Sequence, residues 1–156
     1  MAKQAGIKLV ASNRRARHDY DLLDTFEAGL VLQGTEIKAI RAHRVSLQRA
    51  FVKPRDGELW LIEANIAQYE YGNRENHDPV RPRKLLLHRR EINKLVEALQ
   101  QKGLTLIPTK LYLRDGRAKV EIALARGKRK FDKRQDLARR DADRRVERAL
   151  REKYRD

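Results

Sequence analysis

The chain has no cysteine, one methionine, one tryptophan and only four prolines. Without thiols there is no disulfide framework and no thiolate metal site. No apolar run approaches the ~20 residues of a membrane span. The opening MAKQAGIKLVASN lacks the long apolar region and small-residue cleavage site of a signal peptide. A cytoplasmic protein without a membrane association is therefore expected. The four histidines, His18, His43, His77 and His88, show no metal-site spacing, and P-loop, GxGxxG and GxSxG motifs are missing. Glu36 with His43, and Asp19 with His18, are the acid/base pairs to weigh. A carboxylate beside a histidine is more often a surface ion pair, so no enzyme, cofactor or metal is expected.

Acidic residues are also short. Thirty-seven Lys and Arg face 22 Asp and Glu, a formal charge of +15 on 156 residues. Such an excess concentrates polyanions at the surface, with nucleic acid the first partner to consider and an anionic membrane the second. The length suits one domain with an arm.

The organising stretch is residues 26–47. Leu30, Val31 and Leu32 read as a buried strand between Gly29 and Gly34. Thr35 is placed to cap a short helix that turns Ile37 and Ile40 inward and Lys38 and Arg41 outward. Val45 and Leu47 begin the next extended segment. Upstream, Ile7, Leu9 and Ala11 alternate with Lys8, Val10 and Ser12 as a first strand, and residues 13–18 read as a basic turn. Downstream, Asp56-Gly57 and Asp115-Gly116 mark two hairpins. Residues 72–84 read as a surface loop and residues 85–102 as the best helix of the body. The sum is a mainly β (α+β) fold: a small antiparallel barrel of about six strands with two or three helices.

From Ala125 the character changes. Residues 125–156 hold fourteen basic and seven acidic residues and few apolar ones. A helix from about residue 133 carries too thin a stripe to hold itself down. Residues 1–125 are thus expected to form the barrel. Residues 126–156 are expected to form a basic tail, disordered alone and helical against a partner.

RNA binding has the better physical case. Small barrels of this class bind RNA through a cationic face and a few stacking rings. Arg14, Arg15, Arg17, Lys38, Arg41, Arg81, Arg83, Lys84 and Lys119 supply candidate phosphate contacts. Tyr20, Trp60, Tyr69, Tyr71 and Tyr112 are candidate stackers, although most are expected in the core, Trp60 foremost. A general ribosome-associated or structural RNA-binding protein is the alternative that composition leaves open; a nuclease is the third reading.

Four blocks narrow the choice: NRRARHDY, FEAGLVLQGTEIKAIRA, DPVRPRKLLLH and ARGKRKFDKR. In this order they resemble the SsrA-binding protein family (small protein B, SmpB) over nearly the whole chain. The resemblance implies an OB-like barrel with three helices and no catalysis. It implies binding to the tRNA-like part of transfer-messenger RNA (tmRNA) and, with elongation factor Tu, its delivery to stalled ribosomes in trans-translation, the tail entering the empty mRNA channel. On this pattern Asn13, His18 and Glu27 match positions implicated in RNA binding, and Arg15, Arg83, Lys84 and Lys119 complete that face. Gly127, Lys128, Asp132, Lys133 and Arg134 match the tail base that acts in the small-subunit decoding centre. Phe131 stands where His or Tyr is usual, and Arg49 where an acidic residue is expected. A monomer is expected.

Overall fold

The computed structural model describes residues 6–69, 76–128, 144–146 and 148. The elements run β1 (Ile7–Ser12), α1 (Arg14–Asp19), β2 (Tyr20–Leu30), α2 (Gly34–Arg41), β3 (Val45–Ser46) and β4 (Phe51–Arg55). They continue with β5 (Glu58–Ile62), β6 (Asn65–Ile66), β7 (Arg83–Leu86), α3 (Arg89–Ala98), β8 (Leu104–Arg114) and β9 (Arg117–Gly127). Six strands follow the order β8-β4-β5-β7-β2-β9, and β9 pairs back onto β8 to close a ring. Strand β1 is added alongside β8, β3 pairs with β6 apart from the ring, and every pairing is antiparallel. The expected mainly β, OB-like arrangement with up to three helices is what forms.

Both predicted hairpins are present. Asp56 and Gly57 take φ values of 52° and 76°, and Asp115 and Gly116 take 50° and 81°. Paired positive values are the mark of a turn whose twist matches that of the flanking strands, which is why Asp-Gly is favoured there. Inside the ring, Leu59, Leu61, Leu85, Leu106, Leu111 and Ile122 are fully buried, joined from α2 and α3 by Ile40 and Leu95.

Four local readings change. Residues 14–19 are a helix instead of a basic turn, because the Asn13 side chain accepts from Ala16 N–H at 3.3 Å and Ala16 is buried. Thr35 does not cap α2: Gln33 is the N-cap, its N–H donating to Glu36 Oε1 at 2.8 Å. Strand β2 ends at Leu30 and reaches back to Tyr20, leaving Val31 and Leu32 beyond it. Finally, residues 85 and 86 belong to β7, with Leu85 inside and Leu86 outside as a pleat requires; the helix begins only at Arg89. The last strand also takes in Arg126 and Gly127, the first two residues assigned to the tail.

Residues 144–146 and 148 are helical and exposed. Tyr71, the first part of the 72–84 loop, Phe131, the tail-base residues Asp132, Lys133 and Arg134, and the expected start of the tail helix lie outside the described residues. Among the described residues no helix is long and apolar enough to cross a membrane.

One polar cluster ties the second and third sequence blocks together inside this core. Glu36 on α2 is completely buried and faces two guanidiniums. Arg83 approaches its Oε2 with Nη2 at 2.6 Å and Nε at 2.7 Å, and Arg81 closes on Oε1. Arg83 also donates to the carbonyls of Ala64 (2.6 Å) and Pro79 (3.1 Å). Alongside, His77 Nε2 lies 2.8 Å from Ile66 O, and its Nδ1 lies 2.8 Å from the Thr35 hydroxyl. A carbonyl only accepts, so Nε2 carries a proton, and in the neutral ring the Thr35 hydroxyl donates to Nδ1. Burial alone pushes the Glu36 carboxyl up. The hydrogen bonds from Arg81, Gln33 N–H and Arg83 outweigh it and hold the carboxyl below its ordinary 4.5.

Glu36→Ala strands Arg83 as an unpaired buried cation and is expected to cost about 3–5 kcal/mol in urea unfolding. A loss below ~1 kcal/mol would show the cluster to be dispensable. The folded-state value lies below the unfolded one, so the stability from Glu36 is complete above pH 4.5 and disappears as pH falls through the lower, folded value. The acid limb of the stability curve is expected to be shallower in Glu36→Gln.

Candidate nucleic-acid interface

The period of two places alternate residues of each strand on the outside of the ring. Register then aligns them across strands: Leu9 lies opposite Tyr112, Tyr112 opposite Lys119, Lys119 opposite Gly29, and Gly29 opposite Leu86. One row therefore crosses five strands, with Leu9 and Leu86 each 52% exposed at its ends. Gly29, between Lys119 and Leu86, leaves room in the row. A Cβ there would stand 3.3 Å from Leu86 Cβ and 3.7 Å from Lys119 Nζ, so the missing side chain lets the ammonium lie across the sheet.

Beside this row sits Glu27. Its Oε2 accepts from the Tyr112 hydroxyl and from Arg114 at Nη2 (2.7 Å) and Nε (3.2 Å). Tyr112 is only 6% exposed, although it points away from the core. Arg114 and Lys110 lie over its ring at 5.9 Å each, within cation–π range. The Tyr112 hydrogen bond outweighs burial and, with Arg114, keeps Glu27 below its ordinary value. Burial and the Glu27 carboxylate push the Tyr112 hydroxyl up to about 12, so it stays a donor across the physiological range. Glu27 thus acts as a bracket, holding one guanidinium at the surface against a fixed ring.

The groove over this bracket is about 440 Å³, with Ile7, Leu9 and Phe26 among its lining residues. It continues past Thr25, Lys110 and Glu121 toward α1, where Arg14 and Arg17 line the next stretch. On the other side Lys119 and Arg117 border a groove with Leu86 and the start of α2. The face is cationic, with apolar ends and one braced aromatic ring. Such a surface grips a phosphate backbone and packs against sugars and bases.

The residues singled out from the sequence do not all meet here. Glu27 and Lys119 do, and Lys84 faces outward on β7, opposite Trp60 and 4.0 Å from Glu58. Asn13 does not: it is buried, donating to Pro108 O at 2.9 Å while capping α1. Arg83 is 0% exposed and engaged by Glu36, so it is no phosphate contact but a core residue, and Arg81 shares that ion pair. Arg15 occupies another flank of α1, 3.3 Å from Asp19. His18 bonds Asp19 through Nδ1 at 2.7 Å. Of the two imagined acid/base pairs that one forms as a local contact, whereas Glu36 is taken by arginines. Trp60 is not the surest core ring; its indole N–H donates to Arg55 O at 3.2 Å beside a hairpin, and among the described candidates Tyr112 is the ring that is buried.

Arg114 and Lys110 went unnoticed as site residues. Their signal was present: Lys110, Tyr112 and Arg114 alternate with the buried Leu111 and Leu113, which marks them as outward-facing. Among the described residues, no group of three or more histidines and carboxylates is placed to hold a metal.

A family model described as "SmpB protein" matches residues 10–152. The SsrA-binding protein of Acidothermus cellulolyticus is 57% identical over 150 residues, covering 96% of this chain and 94% of the relative. That of Chloroflexus aggregans is 57% identical over 151 residues, covering 96% of each. A chain in the solved structure described as "tmRNA-SmpB: a journey to the center of the bacterial ribosome" superposes with a TM-score of 0.67 at 49% identity. That match covers 81% of this chain and 93% of the other. With the ring, the bracketed face and the two interlocked sequence blocks in place, the chain belongs to the SmpB family of SsrA-binding proteins.

Proposed function

We propose that this chain is a non-catalytic RNA-binding factor of trans-translation, working in the cytoplasm as a monomer. Its outer face binds the tRNA-like domain of tmRNA, and with elongation factor Tu it helps bring that RNA to stalled ribosomes. The observation that carries the reading is the cross-strand row from Leu9 to Leu86, with Arg114 braced beside it by Glu27 and Tyr112. The relatives' name and the ribosome complex described for the solved chain support tmRNA and the ribosome as partners.

Arg114, Lys119, Lys110, Arg14 and Arg17 make the phosphate contacts, with Lys84 extending the face along β7. His18 and Arg15 stand at its margin, and Asn13 and Arg83 serve it by holding the frame. Gly127, the last residue of β9, and Lys128 lead into the tail, and with Asp132, Lys133 and Arg134 they form the base that acts in the small-subunit decoding centre while the remainder enters the empty mRNA channel. Asp132 suits the cap of a helix formed there.

Glu27→Ala is expected to weaken binding of a tRNA-like RNA by about tenfold, ~1.4 kcal/mol, the scale of one charge-assisted hydrogen bond. Because Glu27 acts through Arg114, the double variant Glu27→Ala/Arg114→Ala is expected to bind no worse than Arg114→Ala alone. Additive losses would mean that Glu27 touches the RNA itself. Arg114→Ala should also flatten the log–log salt dependence by about 0.7–0.9.

Ending the chain at Lys128 keeps β9 whole. That variant is expected to retain its preference for the tRNA-like RNA over random duplex yet to fail in peptide tagging on stalled ribosomes. Equal affinity of the full chain for random duplex would favour a general ribosome-associated RNA protein instead.

A further inference from the structure

Beyond the outer face, α1 borders a second cleft on its other flank. Arg14 and Arg17 turn toward the groove over Lys110 and Glu121, whereas Arg15 turns toward the segment that joins β3 to β4. The cavity there is about 410 Å³; Arg15, Arg49, Gln48, Tyr20, Phe51 and Thr105 are among its lining residues, and the Asp19 carboxylate beside Arg15 is another. Its floor is formed by Ala16, Ala50 and Ile107, all buried. Phe51 is 37% exposed, unusually open for a ring on a strand of the closed sheet. Arg15 leans on Asp19, but Arg49 is exposed and has no ion-pair partner among the described residues.

From this geometry we infer that the cleft is a second RNA site, taking one splayed nucleotide of a single strand. The base stacks on Phe51, with Tyr20 closing the side. The phosphate is met by Arg49 and Arg15, while Gln48 and Thr105 offer donors and acceptors to the base edge. Ring plus guanidinium is the combination with which proteins hold unpaired nucleotides. The volume lies at the small end of ligand-sized clefts, enough for one nucleotide and not for a duplex.

The position in the fold agrees. Tyr20 pairs with Gly127, and Asp19 O accepts from Lys128 N–H at 3.0 Å. The cleft therefore opens beside the end of β9, whereas a folded RNA on the outer face meets a different flank of α1. This inference rests on the RNA-binding reading above and adds a ligand class, unpaired RNA, to it.

The test uses the full chain, a fluorescent uridine hexamer and a tRNA-like RNA, followed by anisotropy across a salt series. Phe51→Ala and Arg49→Glu are each expected to weaken hexamer binding at least about fivefold, the low end for one base–aromatic stack. Neither should move the tRNA-like RNA by more than about twofold, within the scatter of surface changes. Arg49→Glu should also lower the hexamer's salt slope, which Phe51→Ala should leave alone. Hexamer binding unchanged in both variants, or absent in the parent chain, overturns the cleft while leaving the outer-face reading intact. A loss only in Arg49→Glu also overturns it, since that is removal of surface charge without stacking. Failure of the parent chain to bind the tRNA-like RNA defeats the outer-face reading itself.

Discussion

The carboxylate of Glu36 is the interaction that the rest of the structure leans on. Two charges have been taken out of water there, and such a pair is favourable only when its geometry leaves little unsatisfied. Here Arg83 reaches the carbonyls of Ala64, Asp78 and Pro79 as well as the carboxylate, so one guanidinium joins α2, the link between β5 and β6 and the turn before β7. A lysine has one ammonium point and cannot span those three directions. Burial pulls the Arg83 guanidinium down while Glu36 opposes it, and an arginine remains charged inside proteins regardless. The cluster sets how β7 enters the ring, and β7 carries Leu86 and Lys84 on its outer side.

A second carboxylate does the opposite work. Glu27 is held in water's reach, where an ion pair by itself adds little stability. Its effect is on order: a long, flexible arginine is kept in one pose against a ring that cannot turn away. On the RNA-binding reading proposed above, an acidic residue on a basic face serves anion binding by restricting its neighbour's rotamers before the ligand arrives. The inner carboxylate supports architecture, and the outer one is proposed to support recognition. Both do so by engaging arginine, whose planar fork suits either task.

Much of this was legible in the linear chain. Asp-Gly turns, clean alternation in residues 120–124 and the excess of positive charge pointed to hairpins, a small closed sheet and RNA. What escaped had physical reasons. Residues 13–18 hold five polar or basic groups around one alanine, and only the cap by Asn13 and the burial of Ala16 reveal a helix. Leu85, Leu86 and Leu87 are good helix formers, but pairing with Gly29 and Leu30 overrode propensity. Arg83 looks like any cation in a basic run; its burial depends on a carboxylate 47 residues earlier. Arg114 is joined to Glu27 across 87 residues, a distance that local pattern does not bridge.

The pairing of Gly127 with Tyr20, locked by the Lys128 amide, carries one mechanical consequence. Twenty-eight residues follow that anchor. Wound as a helix they extend about 42 Å, and drawn out straight about 90 Å. Whatever the end of the chain touches must lie inside a sphere of that radius, centred on one rigid strand terminus. Turning the ring carries that terminus with it, so docking the body fixes the point from which this reach is measured.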